Sequence, residues 1–286
     1  MQVFTQTLTN ALVLASIYIL LSLGFAFIFN MLGIFNVAHG AIYMAAGYIG
    51  YVFIGALGLN QWLGLLIVVI LFGGLGVFLE KFAFRPFVGD FNRQIMIGVA
   101  IITILETAVN ILIGSQMYTI PAFIEGTLKI GPVAIAWERI SATAIGIALL
   151  ILIILFVNRS RWGQQMQAIT QNMEGAALQG INIHRISAIV TALGCALAAV
   201  AGILTGSLYT LDPFMGDSSL IKILILIILA GVGSFKGVIY MGLVLGILYA
   251  TLPLLIQGAA SDAVAVAIIL VILLIRPQGF FGREVS

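Results

Sequence analysis

The sequence predicts an all-α, polytopic transmembrane bundle, and three observations carry that prediction. Charged residues make up 8% of the 286-residue chain and apolar residues 62%, with a mean hydropathy of +1.23. No water-exposed globular surface sustains such values. No Asp, Glu, Lys or Arg precedes Glu80. The apolar runs are continuous rather than alternating every second residue, which excludes a transmembrane barrel. A helical span needs about 20 apolar residues. The chain therefore holds roughly eight or nine spans, broken or re-entrant segments included, in one transmembrane domain over residues 1–286.

In chain order the apolar segments fall at 8–29, 33–57, 62–80, 95–114, 141–157, 186–208, 219–231, 238–256 and 262–275. The first has no basic n-region and no cleavage site, so it reads as a retained span. The second, GIFNVAHGAIYMAAGYIG, is broken near its start by Asn36, His39, Gly40, Gly47 and Gly50. Such residues are tolerated at membrane depth when buried in protein or lining a cavity. Asn36 and His39, with Tyr43 and Met44, are candidates to line a passage. The fourth segment carries Thr103, Glu106 and Asn110 at helical spacing. Its carboxylate either lines the same passage or is hydrogen-bonded within the bundle as interhelical glue. The segment after Gly231, AGVGSFKGVIYMGLVLG, is also Gly-interrupted. Its Lys236–Met241 echoes His39–Met44, which suggests an internal repeat with the pathway between the halves. Small residues around Gly194, Ala198, Ala201, Gly202 and Gly206 suit close helix approach. The single cysteine, Cys195, reads as helix packing.

Charge placement orients the chain. Lys81, Arg85 and Arg93, then Arg159, Arg161 and Arg185, then Arg276 and Arg283 form three basic regions, which the positive-inside rule places in the cytoplasm. Lys236, in Gly231–Gly237, fits that side. Ser115–Arg139 and Leu211–Ser218 then lie outside, where Asp212 and Asp217 either meet a soluble protein or form a solvated turn. The N-terminus is outside if residues 33–57 cross fully and inside if they do not. Net charge is only +2, and nothing points to nucleic acid.

Between the fifth and sixth segments lies a polar island, NRSRWGQQMQAITQNMEGAALQGINIHR, from Asn158 to Arg185. Met166, Ile169, Met173 and Ala177 recur at helical spacing, which predicts one short amphipathic helix. Gly180 closes it as a C-terminal cap, and Ile181 and Asn182 begin the return to the membrane. A short helix outside an otherwise buried protein needs something to press against. The chain has no Gly-x-x-x-x-Gly-Lys-Ser/Thr phosphate loop. His39 and His184 stand far apart without other metal ligands. Too few titratable groups lie near one another for an embedded enzyme, so the reading is a transport subunit.

Five motifs share the order and spacing of one family. They are NVAHGAIYMAAGY at Asn36–Tyr48, RWGQQMQAITQNMEGAALQGIN at Arg161–Asn182, LAAVAGIL at Leu197–Leu204, LAGVGSFKGVIYMG at Leu229–Gly242 and RPQGFFG at Arg276–Gly282. Here the chain resembles the membrane permease subunits of ABC importers for branched-chain amino acids. The resemblance implies a bacterial-type plasma (inner) membrane protein without cofactor or metal of its own. It implies a second related permease subunit, two cytoplasmic ATPases holding ATP and Mg, an extracytoplasmic substrate-binding protein, and the lipid bilayer as partners. It gives the island an ATPase-coupling role, carried over to Met173, Glu174, Ala177, Leu178, Gly180 and Ile181. The chain departs from relatives at Gln164, Gln165 and Gln167, where they are Arg-rich. Related importers carry urea, short amides or other amino acids. The rival reading is an ion-coupled secondary transporter with Glu106 and Asp262 in its ion path.

Overall fold

The structure is a computed structural model that describes residues 2–130, 133–231, 233–256, 258–276 and 278–282. The tail cation Arg283 and Pro277 of the RPQGFFG motif lie outside the described residues. Eleven helices are present among those residues: α1 (Gln2–Leu32), α2 (His39–Gly50), α3 (Gln61–Leu79), α4 (Phe91–Leu112), α5 (Trp137–Arg159), α6 (Arg161–Gln171), α7 (Met173–Leu178), α8 (Ile183–Leu208), α9 (Met215–Ala230), α10 (Phe235–Leu255) and α11 (Ala259–Ile275). A hairpin of β1 (Thr127–Ile130) and β2 (Val133–Ala136), paired antiparallel with Thr127 opposite Ala136, precedes α5.

Helix starts follow local chemistry. Asn60, Asp90, Ser160, Asn172, Asn182 and Ser234 cap α3, α4, α6, α7, α8 and α10, each side chain accepting from a backbone N–H of the first turn. These groups have no partner within their own helix and need one. α2 and α9 have no side-chain cap.

Six helices are long and apolar enough to cross a membrane alone: α1, α3 with its continuation to Phe87, α4, α5, α8 and α10. α2, α9 and α11 supply the remaining apolar segments. α2 is prolonged by a π-helical turn at Tyr51–Ala56. At its start Phe35 packs edge-on to Phe25 and lies against Phe91, beside the beginning of α4. At its far end Tyr51 stacks on Tyr118 at 4.3 Å, and Tyr48 donates to the carbonyl of Gln116. α1 ends beside the cytoplasmic loop, where Asn30 Oδ1 accepts from Gly233 N at 3.1 Å. Its other end packs near the outer β2. The start of α1 is therefore at the opposite end of the bundle from the loop that carries Lys236.

α1 and α8 form the centre: 78% and 72% of their apolar windows are buried, against 11% for α4. They cross at Gly24 and Gly194, where a Cβ on either glycine would sit 2.6–2.7 Å from the other's carbonyl oxygen. The same reciprocity recurs between Gly40 and Gly216, at the starts of α2 and α9. α2 is entered from the cytoplasmic end of α1 through the non-helical residues 33–38. α9 is entered from the outer end of α8 through 209–214. α3 packs on α8 as α10 packs on α1. The repeat is thus α1–α2–α3 inverted onto α8–α9–α10. The echo between His39–Met44 and Lys236–Met241 is in the wrong register. The first opens α2 and the second opens α10, whose counterpart is α3. Gly, Ile, Tyr and Met recur there because composition is biased, not because the positions correspond.

Candidate coupling surface and membrane-depth polar groups

The polar island folds as two helices rather than one. Ser160 Oγ accepts from Gly163 N at 2.9 Å and starts α6 directly after α5. Asn172 then leaves helical geometry (φ −157°, ψ 105°), and its Oδ1 accepts from Gly175 N at 2.8 Å to start α7. The expected single stripe is therefore split. Met166 and Ile169 are buried, whereas Met173 and Ala177 are exposed. Gly180 ends α7 as its spacing predicts. With φ +81°, its N–H reaches the carbonyl of Ala177 and that of Ile181 the carbonyl of Ala176, the paired bonds of a left-handed C-cap.

α7 presents Met173, Glu174, Ala177 and Leu178 to the outside while Ala176 is buried and Ile181 packs against the core. Leu178 is 88% exposed. α6 is what holds this face in place. Gln167 Nε2 donates to the carbonyl of Val157, and Gly163 fits against the backbone of Phe156 and Val157. The guanidinium of Arg185, on α8, lies 4.5 Å from the centre of the Trp162 ring.

Next to this surface is a buried network that sequence reasoning missed. Glu80 is 1% exposed; it accepts from Arg85 Nε at 3.0 Å and from Ser187 Oγ at 2.7 Å. Arg85 also reaches the carbonyl of His184 at 3.3 Å. The π-helical turn Glu80–Phe84 brings residues five apart onto one face, so Glu80 meets Arg85. The network ties the end of α3 to the start of α8. The available signal was the spacing of a carboxylate and a guanidinium in an otherwise apolar stretch.

The membrane-depth candidates separate into two groups. Asn36, His39, Tyr43 and Met44 are all buried within the chain. His39 Nε2 is 3.1 Å from the carbonyl oxygen of Leu21, and its ring meets Phe25 edge-on. The Asn36 amide and His39 Nδ1 have no hydrogen-bond partner among the described residues. Glu106 is on α4 and half-buried. Thr103 and Asn110 bond to carbonyls of α4 itself, those of Val99 and Glu106. Thr103 and Asn110 are thus satisfied on their own helix, as four-residue spacing allows for short polar side chains, whereas Glu106 Oε1 is buried without a hydrogen-bond partner among the described residues.

Asp212 Oδ1 accepts from Phe214 N at 2.8 Å in the turn before α9, and Asp217 is exposed in its first turn. Lys222 also went unread in the sequence, although it is a lone cation in an apolar run. It lies 4.0 Å from Asp262 of α11 and 4.6 Å from the centre of the Tyr249 ring. Two quoted motifs meet in space. Phe280 and Phe281 of the tail donate their N–H groups to the carbonyls of Leu229 and Ala230, and Phe281 stacks on Tyr240. No group of three or more potential metal ligands occurs among the described residues.

A family model described as the permease component of the branched-chain amino acid transport system matches residues 7–273. The chain is 29% identical to the high-affinity branched-chain amino acid transport system permease protein LivH of Salmonella typhimurium. That match takes in 98% of this chain and 96% of LivH. It is 31% identical, over the same shares, to the permease protein BraD of Pseudomonas aeruginosa. Among solved structures it is similar to PsaBC from Streptococcus pneumoniae in complex with Fab, with TM-score 0.54 and 15% identity over 94% of this chain and 91% of that one; this likeness speaks for the fold alone. The family match over nearly the whole chain agrees with the five motifs and the apolar helices. The chain belongs to the branched-chain amino acid transport permease family, as a multi-pass protein of the bacterial-type inner membrane.

Proposed function

We propose that the chain is the translocating subunit of an ATP-driven importer for branched-chain or related neutral amino acids. It pairs with a second related permease, two cytoplasmic ATPases that hold ATP and Mg, and an extracytoplasmic binding protein that delivers the substrate. The observation that carries this reading is the face of α7. Met173, Glu174, Ala177 and Leu178 are exposed on a two-helix element anchored from below by Met166 and Ile169. An apolar side chain as open as Leu178, next to a carboxylate, fits a protein surface better than water.

The chain performs no chemistry. Its task is to bind its partners with different affinity in its inward- and outward-facing states, since a ligand shifts an equilibrium only by that difference. Displacement of α7 reaches α8 through Ile181 and Asn182. It reaches α3 through the Arg85 contact to His184 and the Glu80 contact to Ser187. Asn36, His39, Tyr43, Met44 and Glu106 are the candidate groups along the passage, the first four closed off in the conformation described above.

The test is ATP-driven uptake of labelled leucine by the assembled importer with Glu174→Ala and Gly180→Ala combined. Uptake is abolished while the amount of inserted protein is unchanged. Uptake at the normal rate would remove α7 from the coupling role. Transport by the chain alone on an ion gradient would replace the importer with a secondary transporter.

A further inference from the structure

Two carboxylates stand at membrane depth on one side of the bundle. Glu106 belongs to α4, of whose apolar window only 11% is buried. Asp217 is in the first turn of α9 and exposed. Its neighbour Gly216 packs against Gly40 of α2. From Gly40 to Ala56 is roughly 24 Å of helix, and from Asp217 to Ala230 roughly 20 Å. Asp217 therefore lies about midway across the membrane. Glu106 and Asp217 are close enough for their charges to interact. They come from distant parts of the chain and share a side because α2 packs on both α4 and α9.

The same side continues along α9, where Phe214, Asp217, Ser218, Ile221 and Ile228 are exposed at helical spacing. On α4, Thr103 is exposed one turn from Glu106. A charged group at this depth is disfavoured against lipid and faces protein or water. Neither carboxylate is in an ion pair among the described residues. A second copy of the chain does not complete them, because the donors of this side are already engaged. Thr103 bonds to the carbonyl of Val99, Asn110 to that of Glu106 and Ser218 to that of Met215, while Lys222 pairs with Asp262. Two copies meeting through this side bring acid against acid with no free cation between them.

We propose that the side formed by α4 and α9 is the seat of the second permease, and that this partner is a different chain presenting a lysine or arginine to Glu106 and Asp217. The inference rests on the importer reading above and adds to it the surface and the chemistry that recognises it. The apolar stripe of Phe214, Ile221 and Ile228 packs on the partner's spans, and the charges select the partner. A permease without the cation leaves the carboxylates stranded in the seam.

The test is photocrosslinking in native membranes that hold the assembled importer. Benzoylphenylalanine replaces Thr103, Ile221 or, on another exposed helix face, Leu152 of α5. The probes at Thr103 and Ile221 give an adduct with the second permease, and the probe at Leu152 does not. Glu106→Gln with Asp217→Asn lowers recovery of the second permease with the chain at least about tenfold, since the partner's cation is left unpaired. Glu106→Lys also lowers it, and recovery returns when the cation located in the adduct is changed to Glu, a rescue that a folding defect does not allow. Each variant is first confirmed inserted and monodisperse. An adduct with a second copy of this chain, with lipid alone, or only from Leu152 would overturn the proposal. So would undiminished recovery of the second permease by the double variant. The natural chain tests the importer reading separately. If ATPases and a second permease co-purify with it, a failed adduct removes only this surface; if neither does, both readings fall.

Discussion

Gly40 and Gly216 show how little room single residues leave at the centre of this protein. A Cβ on Gly40 overlaps the carbonyl oxygen of Gly216, and a backbone atom cannot swing aside. Gly40→Ala therefore lowers stability by about 1–3 kcal/mol, as overpacking does, seen as a lower melting temperature in detergent. Gly74 is the matched control, since a Cβ there meets nothing within 4 Å. Gly74→Ala leaves stability unchanged or raises it by up to about 1 kcal/mol. Equal behaviour of the two variants would mean that the close approach is absent from the native protein. Sequence marks Asn36 and His39 by their type, because polar residues in an apolar run stand out. It does not tell a group that lines a passage from one sealed inside a bundle. That difference depends on α1 and α8, which reach the site from distant parts of the chain.

At the scale of elements, the link between α3 and α8 makes a sharp prediction. Arg85→Ala leaves Glu80 buried with Ser187 as its remaining side-chain partner, and removing one member of a buried pair costs about 3 kcal/mol. Replacing both members, Glu80→Met with Arg85→Met, is nearly neutral on the same thermal-melt assay. A double variant as unstable as the single one would show that the ion pair itself, not the stranded charge, sets the cost. The nine apolar segments and the Gly180 cap were legible because hydropathy and backbone conformation are local properties. The break at Asn172 was not, since an Asn reads equally well as one polar residue on a continuing helix. Nor were the π turns at Tyr51–Ala56 and Glu80–Phe84, which only the packing around them sustains. The pairing of Glu80 with Ser187 lies beyond pattern reading, as its partners come from separate halves of the repeat.

For the whole molecule, the placement of the basic loops predicts the beginning of α1 outside and α7 in the cytoplasm. Cys195 is buried, and in a Cys195→Ser background single thiols report the two sides. A membrane-impermeant maleimide added to spheroplasts labels Gln6→Cys and spares Leu178→Cys, and inverted vesicles give the reverse. Labelling of both thiols from the same side would refute the topology. The two non-helical entries into the bundle also bear on how the chain is made. Residues 33–38 leave backbone groups that lipid cannot satisfy, and every residue of α2 except Ile49 is buried, largely against α8. About 150 residues separate the end of the α2 segment from the end of α8, or about 8–30 s of synthesis at about 5–20 residues per second. During that interval α2 can meet α1, α3 and α4 but lacks α8, its main neighbour. The nascent chain must hold it at the membrane surface or beside the insertion machinery until its second half emerges, so α8 is the step that commits the first half to its place.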